Sequence, residues 1–287
     1  MKALLTALLF LAACTPTSAP TSTSTSTAAP TSTATPTSTA TPTSTATSAS
    51  TADAARGSER DLLAIPPRET GPFEVPFAPK RNVYFTIPAG EKKRLIANLH
   101  GMCNPPGYAC GFWTGAAKEQ GFLVCPTGNG SCGGAYNPPT WTEDDASVDR
   151  DLEASIAAVN AAYPDEMERE GAILTGFSRG AYIAPTLAAM HPGRWRYLIL
   201  TEANVSLDAR RLRAAKVRAV ALIAGEWGTE LPGERATVKQ LNAAGFPAKL
   251  FVMPKAGHYY SANIDQIMAD AMAFVTDPSH DEKPDPT

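Results

Sequence analysis

The chain has 287 residues, a formal net charge of −3 and 44% hydrophobic residues. Its one basic cluster, Arg210-Arg211-Leu212-Arg213, reads as a solvated helix face, which argues against a nucleic-acid-binding protein. No apolar stretch is long enough to span a bilayer, and the length left after a low-complexity N-terminal part suits one large α/β domain.

Residues 1–13 carry Lys2 and then an apolar run through Leu4, Leu5, Leu8, Leu9, Phe10 and Leu11, the pattern of a signal peptide. The run ends in Leu11-Ala12-Ala13-Cys14, which resembles the lipobox of bacterial lipoproteins. That resemblance implies cleavage before Cys14 and a lipidated Cys14 that holds the protein to a membrane of the bacterial cell envelope, at the outer membrane or cell surface. Residues 14–55 follow as a tether, in which every position from Thr15 to Ala52 is Thr, Ser, Pro or Ala. Such a segment cannot bury enough apolar surface to offset chain entropy, so it reads as a disordered spacer. Residues 56–80, with Pro66, Pro67, Pro72, Pro76 and Pro79, read as an extended lead-in to an α/β domain over residues 81–277. A polar tail over 278–287 is expected to be disordered.

Within the domain, strands are expected at Asn82–Ile87, Arg94–Leu99 and Phe122–Pro126. Gly115–Gln120 reads as the end of a short helix, and Asp145–Tyr163 as an amphipathic one, with Val148, Leu152, Ile156 and Val159 at helical spacing. The next strand, from Ala172, enters Gly176-Phe177-Ser178-Arg179-Gly180, and a small-residue helix follows. Further strands are expected at Tyr197–Leu200, Val217–Ala224 and Ala248–Met253, with helices at Glu234–Ala244 and Ile264–Val275. Short apolar strands alternating with helices predict a mostly parallel sheet with helices on both faces, in a single domain. Besides Cys14 there are Cys103, Cys110, Cys125 and Cys132, and four such cysteines in an exported chain predict two disulfides. Their spacing is not that of a common zinc site, and no metal or cofactor is expected. The favoured pairing is Cys103–Cys110 and Cys125–Cys132, each closing one loop; a crossed pairing that joins the two loops is the rival.

Four features then fall in one order: a strand ending in His100-Gly101, the elbow Gly176–Gly180, a carboxylate-bearing loop after Val217–Ala224, and Gly257-His258 after the last strand. The order resembles that of the α/β-hydrolase superfamily, and Leu99-His100-Gly101 with Leu174-Thr175-Gly176-Phe177-Ser178 looks most like secreted polyhydroxybutyrate-depolymerase and feruloyl-esterase type enzymes. The likeness covers about Val83 to Val275. It implies the α/β-hydrolase fold, with Ser178 as nucleophile, His258 as general base, and an oxyanion hole from the backbone N–H groups of Met102 and Arg179. The family's usual acid is an Asp three residues after the strand-end glycine, where this chain has Gly228. Glu226 leads the candidates, with Glu230 close behind and Glu202 third.

The resulting expectation is an extracytoplasmic serine hydrolase that cleaves carboxylic esters through an acyl-enzyme. Peptide-bond chemistry stays open on the same residues. The substrate would be a small-molecule or polymer ester, and the protein a monomer. Trp113, Trp141, Tyr136, Trp227, Tyr259 and Tyr260 are candidates to line its pocket. The alternative is a catalytically degenerate surface-binding lipoprotein of the same fold, motivated by the absent Asp and by the irregular Gly-rich loop after Cys125.

Overall fold

The computed structural model describes residues 70–280. The signal peptide, Cys14, the tether and the first part of the lead-in lie outside the described residues, as does the end of the tail.

The first strand, β1 (Phe73–Ala78), falls in the stretch expected to be an extended lead-in. It pairs antiparallel with β2 (Arg81–Thr86), so the sheet starts earlier than the proline content suggested. Prolines lack the N–H a ladder needs, and Pro76 is tolerated because β1 is an edge strand. The chain continues through β3 (Arg94–Leu99), α1 (Pro106–Ala117), β4 (Gly121–Pro126) and a two-residue ribbon of β5 (Gly130–Ser131) with β6 (Pro139–Thr140). Next come α2 (Asp145–Ala162), β7 (Glu168–Phe177), α3 (Arg179–Met190), β8 (Trp195–Thr201) and α4 (Ala209–Ala214). The last elements are β9 (Ala219–Gly225), α5 (Leu231–Ala243), β10 (Ala248–Met253) and α6 (Ile264–Val275). The eight-stranded sheet runs β1-β2-β4-β3-β7-β8-β9-β10. From β4 to β10 all pairings are parallel, and only β1 and β2 run against their neighbours.

Strand side chains alternate between two cores, as the two-residue period of a strand requires. Leu95, Ala97 and Leu99 of β3, Leu174 of β7 and Leu198 and Leu200 of β8 face one cluster, closed by α2, α3, α4 and α5. Ile96, Ile173, Tyr197 and Ile199 face the other, closed by α1 and α6. In α2 the expected stripe of Val148, Leu152, Ile156 and Val159 is the buried one. Asp144 starts that helix, its side chain accepting the Ala146 N–H.

The disulfides differ from the favoured pairing. Cys103 bonds to Cys132, and Cys110 to Cys125, which is the crossed arrangement. The reason is α1. The loop after β3 turns helical at Pro106, a residue whose fixed φ suits a helix start. Cys110 therefore lies on the buried face of a helix, not in a loop, with its Cα 5.8 Å from that of Cys125 on β4. Cys103 and Cys132 stay in exposed loops and join each other. One bridge ties helix to sheet and the other ties two loops at the carboxyl ends of the parallel strands.

Peptide mapping without reductant should recover Cys103 linked to Cys132 and Cys110 linked to Cys125. Replacing Cys110 and Cys125 together by Ala should lower unfolding free energy in denaturant by about 3 kcal/mol, the loop-closure value for a bridge of this span. Recovery of Cys103 linked to Cys110 and Cys125 linked to Cys132 instead would refute this arrangement.

Candidate active site

Ser178 sits between β7 and α3 with φ 50° and ψ −116°, a conformation few side-chain-bearing residues adopt. Crowding imposes the turn. A Cβ on Gly180 would lie 2.0 Å from the Leu99 carbonyl oxygen, and one on Gly176 would lie 2.4 Å from the Gly180 carbonyl carbon. Only glycines let α3 leave so close to β3 and β7. The Ser178 N–H donates to the Thr201 carbonyl at 2.9 Å, which pins the turn to β8.

His258 follows β10 and comes back over this elbow. Its Nε2 lies 2.9 Å from Ser178 Oγ, and its Nδ1 lies 3.2 Å from Glu202 Oε2. The imidazole is half exposed, whereas the Glu202 side chain is wholly buried. With Nδ1–H donating to the carboxylate, Nε2 is left to accept the serine proton, the arrangement that general-base activation of a hydroxyl needs. The hydrogen bond that Nδ1–H donates to Glu202 raises the His258 pKa above its ordinary value, since it favours the charged imidazolium; partial burial opposes it.

The carboxylate beside His258 is thus Glu202, at the end of β8, and neither Glu226 nor Glu230. Glu226 turns away and accepts the Lys255 N–H at 2.8 Å. Glu230 accepts the Asn204 N–H at 3.1 Å. Gly228 explains the exchange. A Cβ there would lie 3.1 Å from Glu202 Oε2 and 3.3 Å from Oε1, so the Glu202 carboxylate fills the space beside Gly228. Glu202 has φ 55° and also accepts the Gly225 N–H, joining the ends of β8 and β9. The available signal was a lone acid directly behind the buried run Tyr197–Thr201, at the sheet end where Ser178 also emerges.

His100 is buried and holds the neighbouring loop. Its Nδ1–H donates to the Gly101 carbonyl at 2.7 Å, while its Nε2 accepts the Gly128 N–H at 2.9 Å. Trp141 Nε1–H donates to the His100 carbonyl at 2.8 Å. Both ring nitrogens are used by a neutral imidazole, in accord with burial, which lowers the His100 pKa to about 4. Met102 and Cys103 follow, so the Cys103–Cys132 bridge and His100 brace the two ends of one short loop.

That loop walls an open cavity of about 470 Å³ beside Ser178 and His258, formed with Asn104, Pro105, Tyr108 and Phe177. None of the six aromatic candidates lines it. Trp113 is buried in the core, Trp141 serves His100, and Tyr260 packs on Phe112 and Phe177. Tyr136, Trp227 and Tyr259 are exposed outside the cavity. Tyr108, on α1, supplies aromatic surface to the cavity and is not among the residues expected from the sequence.

No family model and no curated relative matches the sequence. Among solved structures, the chain is similar to esterase PE8 (TM-score 0.51, 21% identity, covering 66% of this chain and 97% of that one). It is also similar to FphF, a fluorophosphonate-binding serine hydrolase of Staphylococcus aureus (TM-score 0.52, 12% identity, 73% and 100% covered). S-formylglutathione hydrolase FrmB of Staphylococcus aureus gives a TM-score of 0.50 at 10% identity, with 71% and 97% covered. What these identities establish is the fold, and the chain has the α/β-hydrolase fold.

Replacing Glu202 by Gln should move the His258 titration, followed by NMR of the imidazole C–H protons, down toward the ordinary value of about 6.5. Glu226→Gln should leave it in place. An unmoved midpoint in Glu202→Gln would show that another group raises it.

Proposed function

We propose that the chain is a serine hydrolase of carboxylic esters. Ser178 is the nucleophile, His258 the general base and Glu202 the acid that orients it. The observation carrying this reading is the single imidazole bonded to a strained-turn serine on one side and a buried carboxylate on the other. In the first step Ser178 Oγ attacks the ester carbonyl carbon and its proton passes to His258 Nε2. The tetrahedral intermediate collapses, the alcohol leaves with that proton, and an acyl-serine remains. Water repeats the sequence: His258 takes its proton, the acyl–oxygen bond breaks, and Ser178 recovers its proton as the acid departs.

The developing oxyanion requires donors. Arg179 is the first residue of α3, where N–H groups have no acceptor inside the helix and the dipole favours negative charge. Met102 lines the cavity beside Ser178. Their backbone N–H groups are assigned to the oxyanion hole, each donor being worth about 2.7–4 kcal/mol of transition-state stabilisation. Its volume suits a modest acyl or alcohol group, and the cavity's openness admits an ester carried on a larger molecule.

We place the enzyme outside the cytoplasm, lipid-anchored through Cys14. The lipobox-like ending and two disulfides support this, since such bridges persist in oxidising compartments. The alternative, a non-catalytic binding lipoprotein, drew one of its motives from the acid absent at Gly228, and Glu202 beside His258 argues against that motive.

A fluorophosphonate probe should label Ser178, and the label should be lost in Ser178→Ala and His258→Ala. Activity on p-nitrophenyl acetate should rise with pH through a midpoint above 6.5, because the base must be neutral and its pKa is raised. Glu202→Gln should lower kcat on the order of 10⁴-fold. Folded protein that stays unlabelled would favour the binding lipoprotein.

A further inference from the structure

We propose that Glu234, on the first turns of α5, is a positioning residue that fixes the loop carrying Glu202 and thereby the carboxylate that holds His258. The inference rests on the assignment of Glu202 above.

Glu202 occupies left-handed backbone space, where a residue with a side chain needs support from its surroundings. The support comes from one stripe of α5. Glu230, Glu234 and Thr237 stand on the same helix face at successive turns. Glu234 Oε1 accepts the Ala203 N–H at 2.9 Å, and Glu230 Oε2 accepts the Asn204 N–H at 3.1 Å. Thr237 Oγ1–H donates to the Val205 carbonyl at 3.3 Å. Three consecutive residues after Glu202 are thus held by three side chains of one helix. The helix presses close, since a Cβ on Gly233 would lie 2.1 Å from Asn204 Oδ1.

Glu234 is the unusual member. It is wholly inaccessible to solvent, and its Oε2 has no hydrogen-bond partner among the described residues. Burial pushes its carboxyl up to about 9; the charges of Glu202 and Glu230 act in the same direction, and the Ala203 N–H opposes them. Tyr182, on α3, also faces this group, its own pKa raised first by burial and then by the charge of Glu230. A neutral carboxyl offers Ala203 an acceptor without placing a second full negative charge against Glu202. A glutamine would do the same, whereas an apolar residue would orphan the Ala203 N–H in the interior.

The test compares Glu234→Gln with Glu234→Leu in the full chain. Three quantities are read: the His258 titration midpoint by NMR, kcat and KM on p-nitrophenyl acetate, and thermal unfolding. Glu234→Leu should lower the His258 midpoint and cut kcat by about tenfold or more, with KM changed less than about twofold. Glu234→Gln should restore both to near wild type. If Glu234→Leu does not fold, Glu234→Met, unbranched and also without a good acceptor, takes its place. A folded Leu or Met variant with wild-type midpoint and kcat overturns the proposal, and so does a Gln variant no better than Leu. The titration needs no turnover. An inactive wild-type protein whose His258 midpoint still falls in Glu234→Leu would therefore refute the esterase reading and uphold the role of Glu234.

Discussion

Steric closeness at the Ser178 elbow is the constraint on which the rest depends. Strand β7 must run between β3 and β8, reverse at one residue, and send α3 back past the Leu99 carbonyl with no room for a Cβ at Gly180. That contact fixes where the hydroxyl points and places the first turn of α3 beside it. Because β3 is the neighbour it presses on, the loop after β3 starts within reach of the same serine. His100, buried and neutral, then ties that loop to Gly128 after β4. This side of the cavity is assembled from neighbours in the sheet, not neighbours in the chain.

The acid side obeys a different constraint, the volume beside Gly228. Two carboxylates cannot occupy one pocket next to an imidazole without repulsion, so an acid from β8 and an acid from the loop after β9 exclude each other. Here glycine at position 228 leaves the space and Glu202 reaches into it from the adjacent strand. The longer glutamate side chain bridges the distance from one strand end to the next.

This is also where reading the sequence stopped short. The alternation of β-strands and helices, the elbow and the Gly257-His258 loop could be read because each is a local pattern: a period, a pair of glycines, a position after a strand. The fold class followed from those patterns. The choice between Glu202, Glu226 and Glu230 is not local. It depends on the pairing of β8 with β9 and on what a missing Cβ leaves open, neither of which spacing reports. The cysteines failed for a related reason. Equal seven-residue spacings suggest equal loops, but Pro106 starts a helix inside the first, and this carries Cys110 to Cys125. The edge strand β1 was hidden by prolines that an edge position tolerates.

Charge completes the logic of the acid side. Glu202, Glu230 and Glu234 crowd within one region, and only one of them touches the imidazole. Were all three ionised there, their mutual repulsion would work against the compact loop that carries Glu202. Burial pushes the Glu234 carboxyl up to about 9, toward the neutral form, and Glu230 lies nearer the solvent. Glu202 then faces His258 with a backbone N–H from Gly225 on its other oxygen. One side chain meets the imidazole, one accepts the Ala203 N–H in the interior, and one accepts the Asn204 N–H nearer the surface, so three glutamates make three different contacts according to depth.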